Sequence, residues 1–132
     1  MMKIKDIPKH PALFLTQHQR ELYYEQGYLT FPALIPYSEL TEFRVLVDGI
    51  VDSTRRVTES SNEIDLEKGH TPEYPRLRRV TYVDDKDPHF WRLCADSVIP
   101  DIAADLLGPD VRFRDMMLNF KWADGGAKVK WH

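Results

Sequence analysis

The stretch VRFRDMMLNFKW, residues 111–122, carries the clearest strand pattern in the chain. From Met116 onward, apolar and mostly polar side chains alternate, and a β-strand turns alternate residues to opposite faces. Val111 and Phe113 have the opposite parity, which indicates a bulge or a strand start near Arg114. The pattern therefore predicts a strand that buries one face, formed by Met116, Leu118, Phe120 and Trp122.

A turn and a second strand-like run follow this stretch. Residues 124–126 are Asp-Gly-Gly, a composition typical of tight turns, and residues 129–132 resume strand character. We therefore expect the strand from Asp115 to Trp122 to pair with the strand that leads to His132.

The first third of the chain predicts helices. Thr16 and Gln19 have the spacing of a capping box, and Gly27 is a suitable left-handed end for the helix that follows. Residues 28–31 then predict a short strand. Ser38 is expected to cap a second helix, whose apolar stripe has helical spacing and consists of Leu40, Phe43, Val47, Ile50 and Val51.

The middle of the chain combines a polar segment with further short elements. The segment from Thr58 to Pro75 is polar, and we expect it to be a long, mobile loop. Residues 76–83 have strand character. Asp87 and Pro88 predict the start of a helix, and a further helix is expected to begin at Pro100 and to end at residues 108–109, Gly-Pro.

Length and composition set the class of protein. The chain has 132 residues, a formal charge of −3 and one cysteine, Cys94. That length suits one domain, and the small, mixed charge does not favour nucleic acid as a partner. No internal disulfide is possible, no leader-like apolar run follows Met1, and no segment has the length of a membrane span. These features predict a cytoplasmic protein that acts without a membrane.

The order of elements, helices first and strands later, predicts an α+β fold. The sequence ends inside a predicted strand. We therefore expect the chain to be the N-terminal part of a larger domain.

Several short motifs, taken in order, are similar to a known family. The motifs are Leu15 to Gln19, Gly27 to Leu29, Leu106 to Pro109, Met117 to Lys121, Asp124 to Gly126 and Trp131-His132. From Leu15 onward the chain resembles the phytanoyl-CoA dioxygenase family of Fe(II)- and 2-oxoglutarate-dependent oxygenases. The resemblance implies a double-stranded β-helix (jelly-roll, cupin-like) domain, of which residues 1–132 would form the N-terminal part up to the first metal ligand.

The resemblance also implies a chemistry and a set of site residues. The enzyme would use Fe(II), 2-oxoglutarate and O₂ to hydroxylate a C–H bond of a small molecule or an acyl thioester. His132 would be the first metal ligand and would open a His-x-carboxylate motif. The second histidine and the arginine that holds 2-oxoglutarate have no counterpart in these residues, so the chain alone is expected to be inactive.

Three further residues are implied as contacts for the oxo-acid. Met117 and Asn119 would lie beside 2-oxoglutarate on the long strand, and Arg79 occupies the position of a basic residue that contacts it. The alternative for the strand is a solvated sheet face. The alternative for Arg79 is a solvated cation in the basic run 76–79.

The sequence also allows two other functions. The chain could be a non-catalytic module that acts in assembly or partner binding. It could also belong to a halogenase of the same fold, in which a small residue replaces the carboxylate ligand. The position that distinguishes a halogenase from a hydroxylase lies two residues after His132.

Overall fold

The computed structural model describes residues 9–128 and combines helices with a small antiparallel sheet. The helices are α1 (Gln17–Gln26), α2 (Tyr37–Ser53), α3 (Pro88–Ala95) and α4 (Val98–Leu107). The strands are β1 (Ile64–Leu66), β2 (Leu77–Thr81) and β3 (Met117–Asn119). This composition agrees with the predicted α+β class, whereas the jelly roll stays a prediction. No helix within residues 9–128 is long and apolar enough to cross a bilayer.

The chain divides into two compact units, each built from two separate segments. The helical unit comprises the described part of Met1–Pro36 together with Trp91–Arg114, and it contains α1 and α4. The sheet unit comprises Tyr37–Phe90 and the described part of Asp115–His132, with α2 and the three strands. Helix α3 contributes residues to both units.

Local capping chemistry fixes the ends of the helices in the helical unit. Thr16 accepts the N–H of Gln19 at 3.2 Å, and the Gln19 side chain accepts the N–H of Thr16 at 2.9 Å, which confirms the capping box. Gly27 ends α1 with φ 86°, as predicted. Helix α4 begins two residues before Pro100 because Ser97 caps it, and a proline in the first turn forfeits no helical hydrogen bond.

The strand predicted at residues 28–31 is wrong, since these residues are irregular in the structure. Only four residues separate Gly27 from Pro32, and within the described chain the only sheet is that of β1, β2 and β3. A strand this short needs a neighbouring strand to satisfy its backbone groups, and the helical unit provides none among its described residues.

A buried carboxylate ties the N-terminal segment of the helical unit to α4. Asp105 is fully buried and accepts the N–H groups of Leu13 at 2.8 Å, Phe14 at 2.8 Å and Leu15 at 2.7 Å. The guanidinium of Arg20, itself 2% exposed, lies 3.5 Å from the same carboxylate. Burial raises the pKa of Asp105, but the three backbone donors and Arg20 outweigh it and hold that pKa below its ordinary value.

The sheet unit has its core on one face of the sheet. The strand order is β1-β2-β3, and both pairs are antiparallel. Four buried residues form the core: Leu77, Val80, Val83 and Phe90. Met116, Leu118 and Phe120 pack against it, which confirms three of the four residues predicted for the apolar face; Trp122 instead donates its indole N–H to the carbonyl of Leu77.

The predicted length of that strand is wrong, because β3 covers only Met117–Asn119. The backbone of Met116 bonds to the turn that follows β2 instead: its N–H donates to Asp84 and its carbonyl accepts from Val83. A tight turn follows β3, closed by a 3.3 Å bond from the N–H of Gly125 to the carbonyl of Trp122. Residues 129–132 lie outside the described residues, so the predicted pairing with the strand that leads to His132 stays a prediction.

Helix α2 begins at Tyr37, so Ser38 lies inside its first turn and the predicted cap is wrong. The predicted stripe is confirmed at Phe43, Val47, Ile50 and Val51, which pack against the core together with Leu46. Leu40 is 39% exposed and does not join them.

Replacing Phe43 with alanine is expected to lower the free energy of unfolding by about 2 kcal/mol. The side chain is half-buried, with its ring centroid 5.5 Å from that of Phe90, so the loss should fall below the ~3–5 kcal/mol of a fully buried phenylalanine. Val45, on the same helix and 67% exposed, is the control: Val45→Ala should change the unfolding energy by less than about 0.5 kcal/mol. Equal effects in urea denaturation would show that this face of α2 is not core.

The predicted loop from Thr58 to Pro75 is wrong in its middle, where Ile64–Leu66 form β1. Backbone hydrogen bonds beside both ends of β1 join it to the β2 segment. The N–H of Thr81 donates to the carbonyl of Glu63 at 2.9 Å, and the N–H of Glu67 donates to the carbonyl of Arg76 at 3.0 Å. These bonds count against a mobile loop. The alternation of β1 spans only three residues in a polar segment, and its pairing with β2 supplies the stability that the local sequence lacks.

Candidate functional site

A β-bulge in β2 turns two neighbouring arginines to the same face of the sheet. Leu77 and Val80 are both fully buried although they are three residues apart. The pairing with β1 passes over one residue, since Asp65 faces Arg79 while Leu66 faces Leu77. Two residues on the bulged strand thus oppose one, and both Arg78 and Arg79 are exposed on the face away from the core.

The three residues predicted to contact the oxo-acid come together on this outer face. Asn119 on β3 lies directly opposite Arg79, and Met117, two residues before Asn119, lies opposite Thr81. Directly opposed residues of an antiparallel pair share a face, as do residues two apart on one strand. All three side chains are exposed. The sequence-predicted residues Arg79, Asn119 and Met117 therefore form one patch.

The charge on this face comes from two arginines around one aspartate. Asp65 Oδ2 lies 3.6 Å from Nη1 of Arg78 and 4.0 Å from Nη2 of Arg79. One carboxylate cannot neutralise two guanidinium groups, so these three side chains together carry an excess positive charge. The guanidinium that Asp65 does not hold suits an anionic ligand, because guanidinium groups bind carboxylates and phosphates through directed N–H donors.

Sequence reasoning did not identify Asp65 or Arg78 as part of this site. Asp65 lies within β1, which the sequence did not predict. Simple alternation along β2 places Arg78 and Arg79 on opposite faces, and only the bulge turns them to the same one. One sequence signal could have indicated the bulge. Two adjacent arginines lie between two apolar residues, Leu77 and Val80, in a segment with strand character.

The predicted metal ligand, His132, lies outside the described residues. Within residues 9–128, no three histidine, cysteine, aspartate or glutamate side chains are placed to hold a metal ion. Three of the other histidines make structural contacts. His10 bonds to Arg20, His89 to Asp87, and the Nδ1 of His70 accepts the N–H of Arg76 at 2.9 Å.

The turn after β3 is fastened to β2 by its side chains. The indole N–H of Trp122 donates to the carbonyl of Leu77 at 2.7 Å. The guanidinium of Arg76 lies over the Trp122 ring, 5.6 Å from its centroid, and forms an ion pair with Asp124. These contacts hold the turn after β3 against Leu77 and the residue before it.

A cleft of about 770 Å³ lies beside this turn in the sheet unit. Its walls come from α2, from the segment before β2 and from the aromatic pair that follows β3, with Val47, Val51, Tyr74, Arg76, Phe120 and Trp122 among the lining residues. Phe120 and Trp122 stack with their ring centroids 6.1 Å apart. The cleft differs from the outer face in its aromatic lining, although Asp48, Glu73, Arg76 and Asp124 add charged groups to its walls.

The family model described as phytanoyl-CoA dioxygenase (PhyH) matches residues 23–132, which is most of the chain. No curated protein sequence and no solved structure matches it.

Proposed function

This chain belongs to the phytanoyl-CoA dioxygenase family, and on that premise we propose that it forms part of an Fe(II)- and 2-oxoglutarate-dependent oxygenase. The family consists of oxygenases, so an oxygenase-type enzyme is the function that membership implies. The finer proposal is hydroxylation of a C–H bond in a small molecule or an acyl thioester. In this proposal residues 1–132 form the N-terminal part of a single jelly-roll domain.

The observation that carries the proposal is the open outer face of the sheet. Helix α2 and the core residues cover one face, whereas Arg79, Asn119 and Met117 stand exposed on the other. In a jelly roll with helices packed outside one sheet, the opposite face of that sheet lines the interior of the barrel. The exposed face therefore corresponds to the side on which a cosubstrate would bind.

The donor chemistry of this face fits 2-oxoglutarate. Arg79 would bind a carboxylate of the oxo-acid, the amide of Asn119 would orient it by hydrogen bonding, and the apolar side chain of Met117 would exclude water beside it. These three side chains act by binding and positioning, and none is placed to transfer a proton.

The choice of Fe(II) rests on the chemistry of its proposed ligands. His132 would supply one imidazole, and a second imidazole with a carboxylate would complete a set of three ligands on one face of Fe(II). When bound, the metal would supply activation of O₂. A carboxylate two residues after His132 would favour hydroxylation, whereas a small residue there would favour halogenation.

Replacing Arg79 with glutamine is expected to weaken 2-oxoglutarate binding about 10-fold or more, since a hydrogen bond to a charged group contributes about 1.5–3 kcal/mol. Titration calorimetry on the product of the complete reading frame that contains these residues measures the effect. Arg56 is an exposed arginine of the same unit that lies off the sheet, so Arg56→Gln is the matched control. Unchanged affinity in Arg79→Gln would remove Arg79 from the cosubstrate site.

A further inference from the structure

Asp65 places a carboxylate beside Arg79, the residue assigned to the anionic ligand. It lies directly opposite Arg79 in the β1–β2 ladder, and its Oδ2 is 4.0 Å from the Arg79 guanidinium. The same oxygen lies 3.6 Å from Arg78. The second carboxylate oxygen is 3.5 Å from the hydroxyl of Ser60. Arg79 thus lies at ion-pair distance from an internal carboxylate.

The two arginine side chains are more exposed than the aspartate. The side chains of Arg78 and Arg79 are 47% and 44% exposed, whereas that of Asp65 is 25% exposed. Ion pairs at this degree of exposure contribute little stability, typically below about 1 kcal/mol, so exchange of partners has a small energetic cost. The nearby carboxylate of Glu63 is paired with Lys86 at 3.4 Å and leaves Asp65 to the two arginines.

We propose that Asp65 is a positioning residue that competes with the anionic ligand for Arg79, and that Arg78 holds Asp65 once Arg79 turns to the ligand. Because the two guanidinium groups share one carboxylate oxygen, Arg79 can leave without stranding Asp65. The bulge in β2 is what makes this exchange possible, since it turns Arg78 to the outer face. Identification of the ligand as the oxo-acid rests on the proposed function, whereas the competition holds for any oxyanion that Arg79 binds.

The proposal predicts effects of opposite sign at two neighbouring charges. Asp65→Asn should tighten ligand binding by about two- to fivefold because Arg79 loses its internal competitor. Arg78→Gln should weaken binding by about two- to fivefold because Asp65 then holds Arg79 alone. In the Asp65→Asn background, Arg78→Gln should have no further effect, because Arg78 acts only through Asp65.

The experiment measures the affinity of the complete reading-frame product for two probes, 2-oxoglutarate and inorganic phosphate, by titration calorimetry. Asp85→Asn, an exposed aspartate after β2, controls for the change in net charge, and Arg56→Gln controls for loss of an arginine. Both controls should bind the probes as the unmodified protein does. A merely structural role of Asp65 would weaken binding or leave it unchanged, whereas competition strengthens it.

The outcomes separate this inference from the proposed function. Tighter phosphate binding in Asp65→Asn without any 2-oxoglutarate binding would support the competition and refute the oxygenase proposal. Binding of 2-oxoglutarate through Arg79 with no gain in Asp65→Asn would overturn the competition alone. Loss of affinity on Arg78→Gln in the Asp65→Asn background would show that Arg78 binds the ligand directly, which would overturn the competition. Failure of both probes to bind would overturn it as well.

Discussion

Replacing Asp105 with asparagine is expected to lower the free energy of unfolding by about 3–5 kcal/mol, the loss typical of removing one partner from a buried charge pair. Asp105 Oδ1 accepts one backbone N–H and Oδ2 accepts two, from residues 13–15. Asparagine has one acceptor oxygen and an NH₂ group that only donates, so at least one backbone N–H would face another donor. The buried guanidinium of Arg20 would also lose its negative partner.

The control for this substitution is Asp110→Asn, which removes the same charge from an exposed position in the helical unit. It should change the unfolding energy by less than about 0.5 kcal/mol. Urea denaturation of both variants supplies the comparison. Equal, small losses in the two variants would mean that the carboxylate of Asp105 does not hold the N-terminal segment.

The same carboxylate gives the stability a defined dependence on pH. The folded-state pKa of Asp105 lies below the ordinary value of 3.8, because its backbone donors and Arg20 outweigh the effect of burial. Its contribution to stability is therefore complete above pH 3.8 and is lost as the pH falls through the lower, folded-state pKa. Asp105→Asn should lack this part of the acid-induced loss when unfolding is followed from neutral to low pH.

Replacing His132 with alanine in the complete reading-frame product is expected to reduce succinate formation more than about 100-fold, since loss of a direct ligand should exceed the effect of losing a residue that only supports one. Succinate measured with Fe(II), ascorbate and 2-oxoglutarate reports turnover without knowledge of the substrate. His18, exposed on α1, provides the control variant His18→Ala, which should retain full turnover.

The 132-residue chain is a second arm of this experiment and is expected to form no succinate. One imidazole cannot compete with water for Fe(II), because selective binding needs several ligands held in fixed geometry. Turnover by this chain would refute the argument from ligand number. Full activity of His132→Ala would exclude His132 from the metal site. Binding of a partner without any turnover in the complete protein would favour the alternative of an assembly module.

Three element ends that depend on local chemistry were predictable from the sequence, whereas the predicted starts of α2 and α4 were displaced by one or two residues. The capping box at Thr16, the left-handed Gly27 and the helix start at Asp87 each satisfy backbone groups within a few residues, and all three are confirmed. Strand β1 depends on pairing with a strand eleven or more positions away, and nothing in its own three residues indicates that partner. The strand after Arg114 was overestimated because the alternation extends beyond the three residues, Met117–Asn119, that pair as a regular strand.

The candidate site was predictable in part for the same reason. Met117 and Asn119 share a parity, so their common face follows from the sequence alone. Placing Arg79 beside them requires the register between β2 and β3, which sequence does not supply. Placing Arg78 there requires the bulge, which reverses the face that alternation assigns to it.

The bulge at Arg78 also bears on how this face can change during evolution. Deleting Arg78 would leave Leu77 and Val80 two residues apart, the ordinary spacing of a strand, with Arg79 between them on the outer face. The apolar core would keep both of its contributors, while the outer face would lose one cation. A single inserted or deleted codon can thus adjust the charge of this surface without rebuilding the interior beneath it.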